Sequence, residues 1–247
     1  MKSDFLLGVL GGLGPMSTFY FCELVTSHTF AGCDADHIDM LISSRASTPD
    51  RTAYILGKST ESPLPIMQKE ARRLIDAGAD LLVIPCNTAH YFYDGLTDVS
   101  SVPILNIIEE TVKYLQKKGI TTFGLLATEG TVKSESYHRL CKKHGITCIT
   151  PSQEGQEKIS EIIYNAIKQN KPVDMDAFSQ ISKDLLKQGC ECLVLGCTEL
   201  SLLRQTGLDH EIYVDSLEVL AYRTIVACNK KPIGFPKEFE CMQEDEI

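Results

Sequence analysis

The segments Ala77-Gly-Ala-Asp-Leu-Leu-Val-Ile-Pro-Cys-Asn-Thr88 and Gln188-Gly-Cys-Glu-Cys-Leu-Val-Leu-Gly-Cys-Thr-Glu199 read as one motif written twice. Each has a glycine in a polar turn, then an apolar run, then a cysteine followed by polar residues. A short apolar run bounded by turn signals suits a strand buried on both faces of a parallel sheet. The two cysteines, Cys86 and Cys197, stand 111 positions apart. Two further pairs recur in the same order. Gly8-Val-Leu-Gly-Gly12 matches Gly124-Leu-Leu-Ala-Thr128 at an offset of 116, and Val102-Pro-Ile-Leu-Asn-Ile-Ile-Glu109 matches Glu211-Ile-Tyr-Val-Asp-Ser-Leu-Glu218 at 109. One such match arises easily among apolar strands. Three in one order indicate an internal duplication.

Working outward from these segments, strands are predicted at Phe5–Leu10, Ile38–Ser43, Leu81–Ile84, Pro103–Asn106, Thr122–Leu126, Thr147–Ile149, Cys192–Leu195 and Ile212–Val214. Helices are predicted at Pro15–Phe30, Leu64–Ala77, Ile107–Lys118, Lys133–His144, Gln156–Gln169, Met175–Gln188 and Leu217–Cys228. This alternation predicts an α/β fold of two similar domains. Each has a mainly parallel sheet flanked by helices, and a pseudo-twofold relates the two. Residues 1–117 plus about 211–247 would form the first domain and 118–210 the second. Sites in such folds lie beyond the carboxyl ends of the strands, which places Cys86 and Cys197 face to face across a cleft between the domains. The last dozen residues, ending Glu-Asp-Glu-Ile, read as a solvated tail.

Composition narrows the function. A formal charge of −9 over 247 residues argues against a nucleic-acid partner, which needs a basic surface. With 43% hydrophobic residues the chain can bury a substantial core, and its mean hydropathy of −0.04 is ordinary for a globular protein. No apolar run approaches the roughly 18 residues that span a bilayer, so no membrane partner is expected. The ten cysteines show no Cys-x-x-Cys spacing, and the N-terminus carries no clear cleavage signal. These features favour a reducing, cytoplasmic setting with free thiols and no metal.

A strand-end cysteine is usually just a small apolar residue. Two in matching contexts, followed by Asn/Thr and Thr/Glu, suggest chemistry. Backbone N–H groups and a threonine helix cap after each cysteine would lower the thiol pKa. Two acid–base groups on opposite faces of one carbon suit racemisation: a thiolate removes the proton from one face and a thiol returns one to the other. The resulting carbanion would be held by fixed hydrogen-bond donors in a water-poor cleft. No lysine lies in a recognisable pyridoxal-phosphate motif, although such lysines are hard to see in one sequence.

The motifs Gly11-Gly-Leu-Gly-Pro-Met-Ser-Thr18, Pro49-Asp-Arg-Thr52, Pro85-Cys-Asn-Thr-Ala-His90, Leu126-Ala-Thr-Glu-Gly-Thr131 and Gly196-Cys-Thr-Glu199 come in order over nearly the whole chain. Together they resemble the aspartate/glutamate racemase superfamily, most nearly its aspartate racemase branch. The resemblance implies a PLP-independent racemase (an isomerase), usually a homodimer. Cys86 and Cys197 would be the acid–base pair and a small acidic amino acid the substrate: aspartate, with glutamate as second candidate. It also implies that Arg51 binds a substrate carboxylate and that Lys168 helps to hold the substrate, with Lys158 as the alternative on the same predicted helix. Asn87, Thr88, Thr131 and Thr198 become candidate hydrogen-bond donors. Glu199 would hold the ammonium or orient Cys197, and His90 would sit near enough to tune Cys86. The loop of Gly11, Gly12 and Gly14 would let backbone approach the ligand; it has neither a dinucleotide nor a phosphate-loop pattern. Leu13 and Ser17 replace residues common in the family, Met and Ala. Within the superfamily, maleate isomerase and hydantoin racemase are the competing activities, and a non-catalytic amino-acid-binding protein is the competing class.

Overall fold

The computed structural model describes residues 5–242. Two four-stranded sheets form, every strand pair parallel. The first holds β1 (Leu6–Gly11), β2 (Asp39–Ser44), β3 (Leu81–Val83) and β4 (Ile104–Leu105) in the order β2-β1-β3-β4. The second holds β5 (Thr122–Leu126), β6 (Thr147–Ile149), β7 (Cys192–Leu195) and β8 (Tyr213–Asp215) in the order β6-β5-β7-β8. The two orders are the same, so the predicted α/β duplication is realised, with β8 in the second sheet although residues from about 211 were expected in the first domain.

The duplication extends to packing. Gly8 on β1 pairs with Leu82, and Gly124 on β5 pairs with Leu193. A Cβ at either glycine would stand 2.6 Å from the paired leucine's Cδ2, with Leu74 or Leu185 also in contact. The second of each leucine pair lies 111 positions after the first, the same offset that separates the cysteines. A glycine is required in both halves because the neighbouring strand lays a leucine over the same spot.

The helices are α1 (Pro15–Ser27), α2 (Arg51–Ile55), α3 (Leu64–Asp76), α4 (Tyr93–Thr97), α5 (Ile107–Lys117), α6 (Glu129–Lys133), α7 (Ser136–Lys143), α8 (Gln153–Glu161), α9 (Met175–Lys187) and α10 (Ser216–Ala227). Asn106 and Asp215, matched in the repeat, are the N-caps of α5 and α10, their side chains accepting from amides of the first turn. Eleven of the twelve residues of α10 are buried, and it packs against α1 and α5. Apolar residues of both sheets, including Leu7, Val9 and Val83 with Leu125 and Val194, belong to one continuous core with α10.

Three further expectations change. The helix predicted over 133–144 starts only at Ser136, as α7, because Glu135 takes a left-handed conformation (φ 54°) that separates it from the short α6 before it. The predicted helix over 156–169 gives way after α8 to a π turn, Ile162–Ala166, and then a 3-10 turn, Ile167–Gln169. The supposed solvated tail instead docks as far as it is described. A 3-10 turn over Lys237–Met242 buries Phe239 and Met242 against the core, and the buried Arg223 donates to the Met242 carbonyl at 2.6 Å. Residues 243–247 lie outside the described residues.

Candidate active site

β3 and β7 are the matching strands of the two sheets, and Cys86 and Cys197 follow their carboxyl ends by a few residues. Both thiols line one cleft between the halves, together with Arg51, Asn87, Thr88, Lys168, Thr198 and Glu199. The cleft has a cavity volume of about 10 Å³, room for roughly one water. An amino acid therefore requires the walls to part.

The chain after each cysteine turns into a 3-10 helix, Thr88–Phe92 and Leu200–Thr206. The threonine caps expected there do not form. Thr88 Oγ1 lies 2.9 Å from both Thr128 Oγ1 and Thr131 Oγ1, which are 3.0 Å from each other, a closed triangle of hydroxyls between the halves. Thr198 Oγ1 donates to the Pro85 carbonyl at 3.2 Å, tying the second cysteine turn to the first. Thr128 lines the cleft and caps α6, and Thr131 stands behind it.

The thiols are not activated in the way expected. Burial pushes the Cys86 thiol above its usual range, against the downward pull of Arg51. Burial and then the Glu199 carboxylate raise Cys197 well above it. The amides of Ala89 and Glu199 do favour the respective thiolates, but desolvation outweighs them. Cys86 Sγ has one long contact, 3.6 Å to the Leu13 carbonyl, whereas Cys197 Sγ donates to Glu199 Oε2 at 3.0 Å.

Arg51 opens α2 and is buried. Its Nη1 donates to the carbonyls of Thr48 (3.3 Å) and Pro49 (3.1 Å), and its Nη2 to that of Leu13. Nε is buried with no hydrogen-bond partner among the described residues. Helix α6 presses on α2, where a Cβ at Gly130 would stand 2.7 Å from Thr52 Oγ1. The short helix carrying Arg51 is thus pinned from the opposite half.

Lys168 reaches the cleft because the π turn before it shifts the helix register, a feature found often at functional sites. Its Nζ lies 3.2 Å from Glu199 Oε1 and 5.0 Å from the centre of the Tyr164 ring. Burial works against the ammonium, but Glu199 and the thiols outweigh it and hold Lys168 above its usual range. Lys158 is exposed on α8 and does not line the cleft.

His90 braces the first cysteine from behind. Its Nδ1 lies 2.9 Å from the Cys86 carbonyl and its Nε2 accepts from Ile107 N at 3.4 Å, which assigns the proton to Nδ1. Burial lowers its pKa to about 4, so the ring is neutral near pH 7. The glycine loop is a packing device. Gly12 has φ 81° and lies against the backbone of Arg45 and Ala46, Gly11 against Thr18, and Gly14 against Glu199. Leu13 between them presents its carbonyl to Arg51 and Cys86. Leu13, Asp50, Thr52, Thr128 and Tyr164 also line the cleft. The first four lie within the motifs that carry the family resemblance, and Tyr164 lies outside them.

A family model described as Asp/Glu/Hydantoin racemase matches residues 10–223. The chain is 31% identical over 232 residues to the broad specificity amino-acid racemase RacX of Bacillus subtilis (strain 168), covering 89% of this chain and 96% of that protein. The solved Picrophilus torridus aspartate racemase superposes with a TM-score of 0.81 at 26% identity, covering 97% of this chain and 100% of that one. An aspartate racemase homologue from Pyrococcus horikoshii OT3 shares the fold at 24% identity and a TM-score of 0.74, over 93% and 100% of the two chains. By the span of the family match, by the relative covered almost end to end and by the duplicated sheets, the chain belongs to the Asp/Glu/hydantoin racemase family.

Proposed function

We propose that this amino-acid racemase inverts the α-carbon of aspartate, and secondarily glutamate, by passing protons between Cys86 and Cys197 without a cofactor. The observation that carries the reading is the placement of both thiols in one buried cleft with Arg51 and Lys168. A thiolate on one wall takes the α-proton and a thiol on the other delivers its own to the opposite face.

The charged groups suit a dicarboxylate. A guanidinium has five N–H bonds. Three of those on Arg51 meet carbonyls, leaving Nε–H and one on Nη2 for a carboxylate. Lys168 offers a second cation. The amides of Ala89 and Glu199 hydrogen-bond the two sulfurs, so the chain after each cysteine turns N–H groups toward the cleft in which charge builds in the transition state. Glu199 Oε1 is ion-paired with Lys168 Nζ at 3.2 Å, so the substrate ammonium reaches that oxygen as Lys168 turns to a carboxylate.

The test is proton NMR of L-aspartate and D-aspartate with the protein in heavy water, followed by polarimetry. Loss of the Cα–H signal with loss of optical rotation is the expected result, for aspartate before glutamate and both before neutral amino acids. Aspartate unchanged in both measurements would exclude the activity.

A further inference from the structure

We infer that Glu199 is a positioning residue that keeps Cys197 as the protonated member of the thiol pair, so that Cys86 is the thiol that ionises first. Cys197 Sγ donates to Glu199 Oε2 at 3.0 Å. Ionising Cys197 would place two anions at that distance in a buried site and remove the only proton between them. Cys86 has no such acceptor: its contact with the Leu13 carbonyl is 3.6 Å, too long to hold a proton firmly. Exposure does not distinguish the two, at 6% for Cys86 and 4% for Cys197. The charged neighbours do.

Five elements present titratable groups here. Glu199 comes from the second cysteine turn itself, Tyr164 from the π turn, Lys168 from the 3-10 turn after it, Arg51 from α2 with Asp50 as its N-cap, and Cys86 from the first cysteine turn. Arg51 favours the Cys86 thiolate, and Glu199 opposes ionisation of both thiols, ranking above Lys168 at each. The fold reserves space for this carboxylate. A Cβ at Gly14 would stand 2.5 Å from Glu199 Oε1, so the glycine and Lys168 together hold Glu199 against Cys197.

The consequence for turnover rests on the racemase reading. The Cys86 thiolate takes the α-proton and Cys197–H delivers its own to the opposite face, so the protein leaves the step as Cys86–H and Cys197 thiolate. Lys168 then faces two anions, Glu199 and Cys197. The starting form returns when Cys86 releases one proton to water and Cys197 takes one up, with no net change in protons.

The test needs no substrate. Iodoacetamide labelling at neutral pH, mapped by mass spectrometry of peptides, reads the thiolate share of each cysteine. In the wild type Cys86 should label about tenfold faster than Cys197 or more, a tenfold ratio corresponding to one pKa unit. Glu199→Gln keeps the shape and removes the anion, and the ratio should fall toward one. Gly14→Ala is an independent probe, because its backbone (φ −116°, ψ 147°) accepts alanine while the new methyl displaces the end of the Glu199 side chain. It should move the ratio in the same direction. Equal labelling in the wild type, or a ratio unmoved in both variants, overturns the inference. A protein that keeps the labelling ratio but racemises nothing upholds it and overturns the racemase reading alone.

Discussion

Tyr137 donates its hydroxyl proton to Asn87 Oδ1 at 2.7 Å, so a helix of the second half grips the residue that follows the first cysteine. The other end of the same amide donates from Nδ2 to Ser216 Oγ at 2.9 Å. Ser216 spends its own proton on the Leu195 carbonyl at 2.7 Å, which fixes the orientation of the amide. The Asn87 side chain is therefore engaged on both sides and holds the halves in register. Asn87→Ala would strand a buried tyrosine hydroxyl. It should destabilise the fold by about 1–3 kcal/mol, the usual range for an orphaned buried polar group, as urea unfolding would measure. A loss of activity with unchanged stability would instead mean that the side chain serves the substrate.

Replacing either thiol should separate binding from chemistry. Cys86→Ser and Cys197→Ser change one atom in a packed wall, so affinity for aspartate measured by calorimetry should stay within a few fold. Racemisation should fall by at least about 10²-fold in each, since an alcohol replaces an acid–base group of far lower pKa. One variant can still exchange the α-proton of a single enantiomer in heavy water, because the surviving thiol serves one face. Wild-type rates in both variants would rule out the two-thiol scheme.

The pH dependence follows from burial. Catalysis needs one thiolate, and burial raises both thiols above their ordinary range, Cys86 less hindered because Arg51 counters it. The kcat/KM for aspartate should therefore still be climbing as pH rises from neutral into the alkaline range. Arg51→Gln removes the cation that lowers Cys86, so the rising limb should move to higher pH. The same variant loses the charged fork, and KM should rise by about 10- to 100-fold, the range of one to two charge-assisted hydrogen bonds. A limb that stays in place while KM rises would confine Arg51 to binding.

The repeat made much of this legible. Cys86, Cys197 and the capping pair Asn106 and Asp215 recur at nearly fixed offsets, and the alternation of strands and helices pointed to two parallel sheets without giving their strand order. Arg51 and Lys168 could be named from motifs but not placed. Lys168 depends on a π turn that no residue type announces: a 3.6-residue period over 156–169 extends one straight helix and points its side chains elsewhere. The hydroxyl triangle of Thr88, Thr128 and Thr131 was hidden for another reason. Threonine after a strand reads as a local helix cap, and partners about 40 positions away leave no trace in local pattern. Sequence shows the amides near each thiol and not the depth of burial that overrides them.

A second buried cluster, near the other end of the Leu200–Thr206 turn, gives the last prediction. Asp215 and Glu218 lie side by side at the start of α10. Arg204 Nη2 is 3.1 Å from Glu218 Oε2, and Arg204 Nε is 3.9 Å from Asp215 Oδ2. Ser201 donates to Asp215 Oδ1 at 2.6 Å, His210 Nδ1 lies 3.7 Å from Glu218, and Tyr20 on α1 senses both carboxylates. Burial, followed by mutual repulsion, raises Asp215 above the ordinary carboxylate range toward neutrality, although Arg204 opposes it. The folded chain then binds more protons than the unfolded chain between about pH 4 and neutral. By linkage its stability contribution is full at the acid end of that window and declines as pH rises. The slope for one such group is at most about 1.4 kcal/mol per pH unit. Asp215→Asn keeps an acceptor for Ser201 and the Leu217 amide but cannot titrate. Urea unfolding over this window should show a declining stability in the wild type and a flatter profile in the variant. Parallel profiles would mean that Asp215 is already ionised throughout, paired with Arg204.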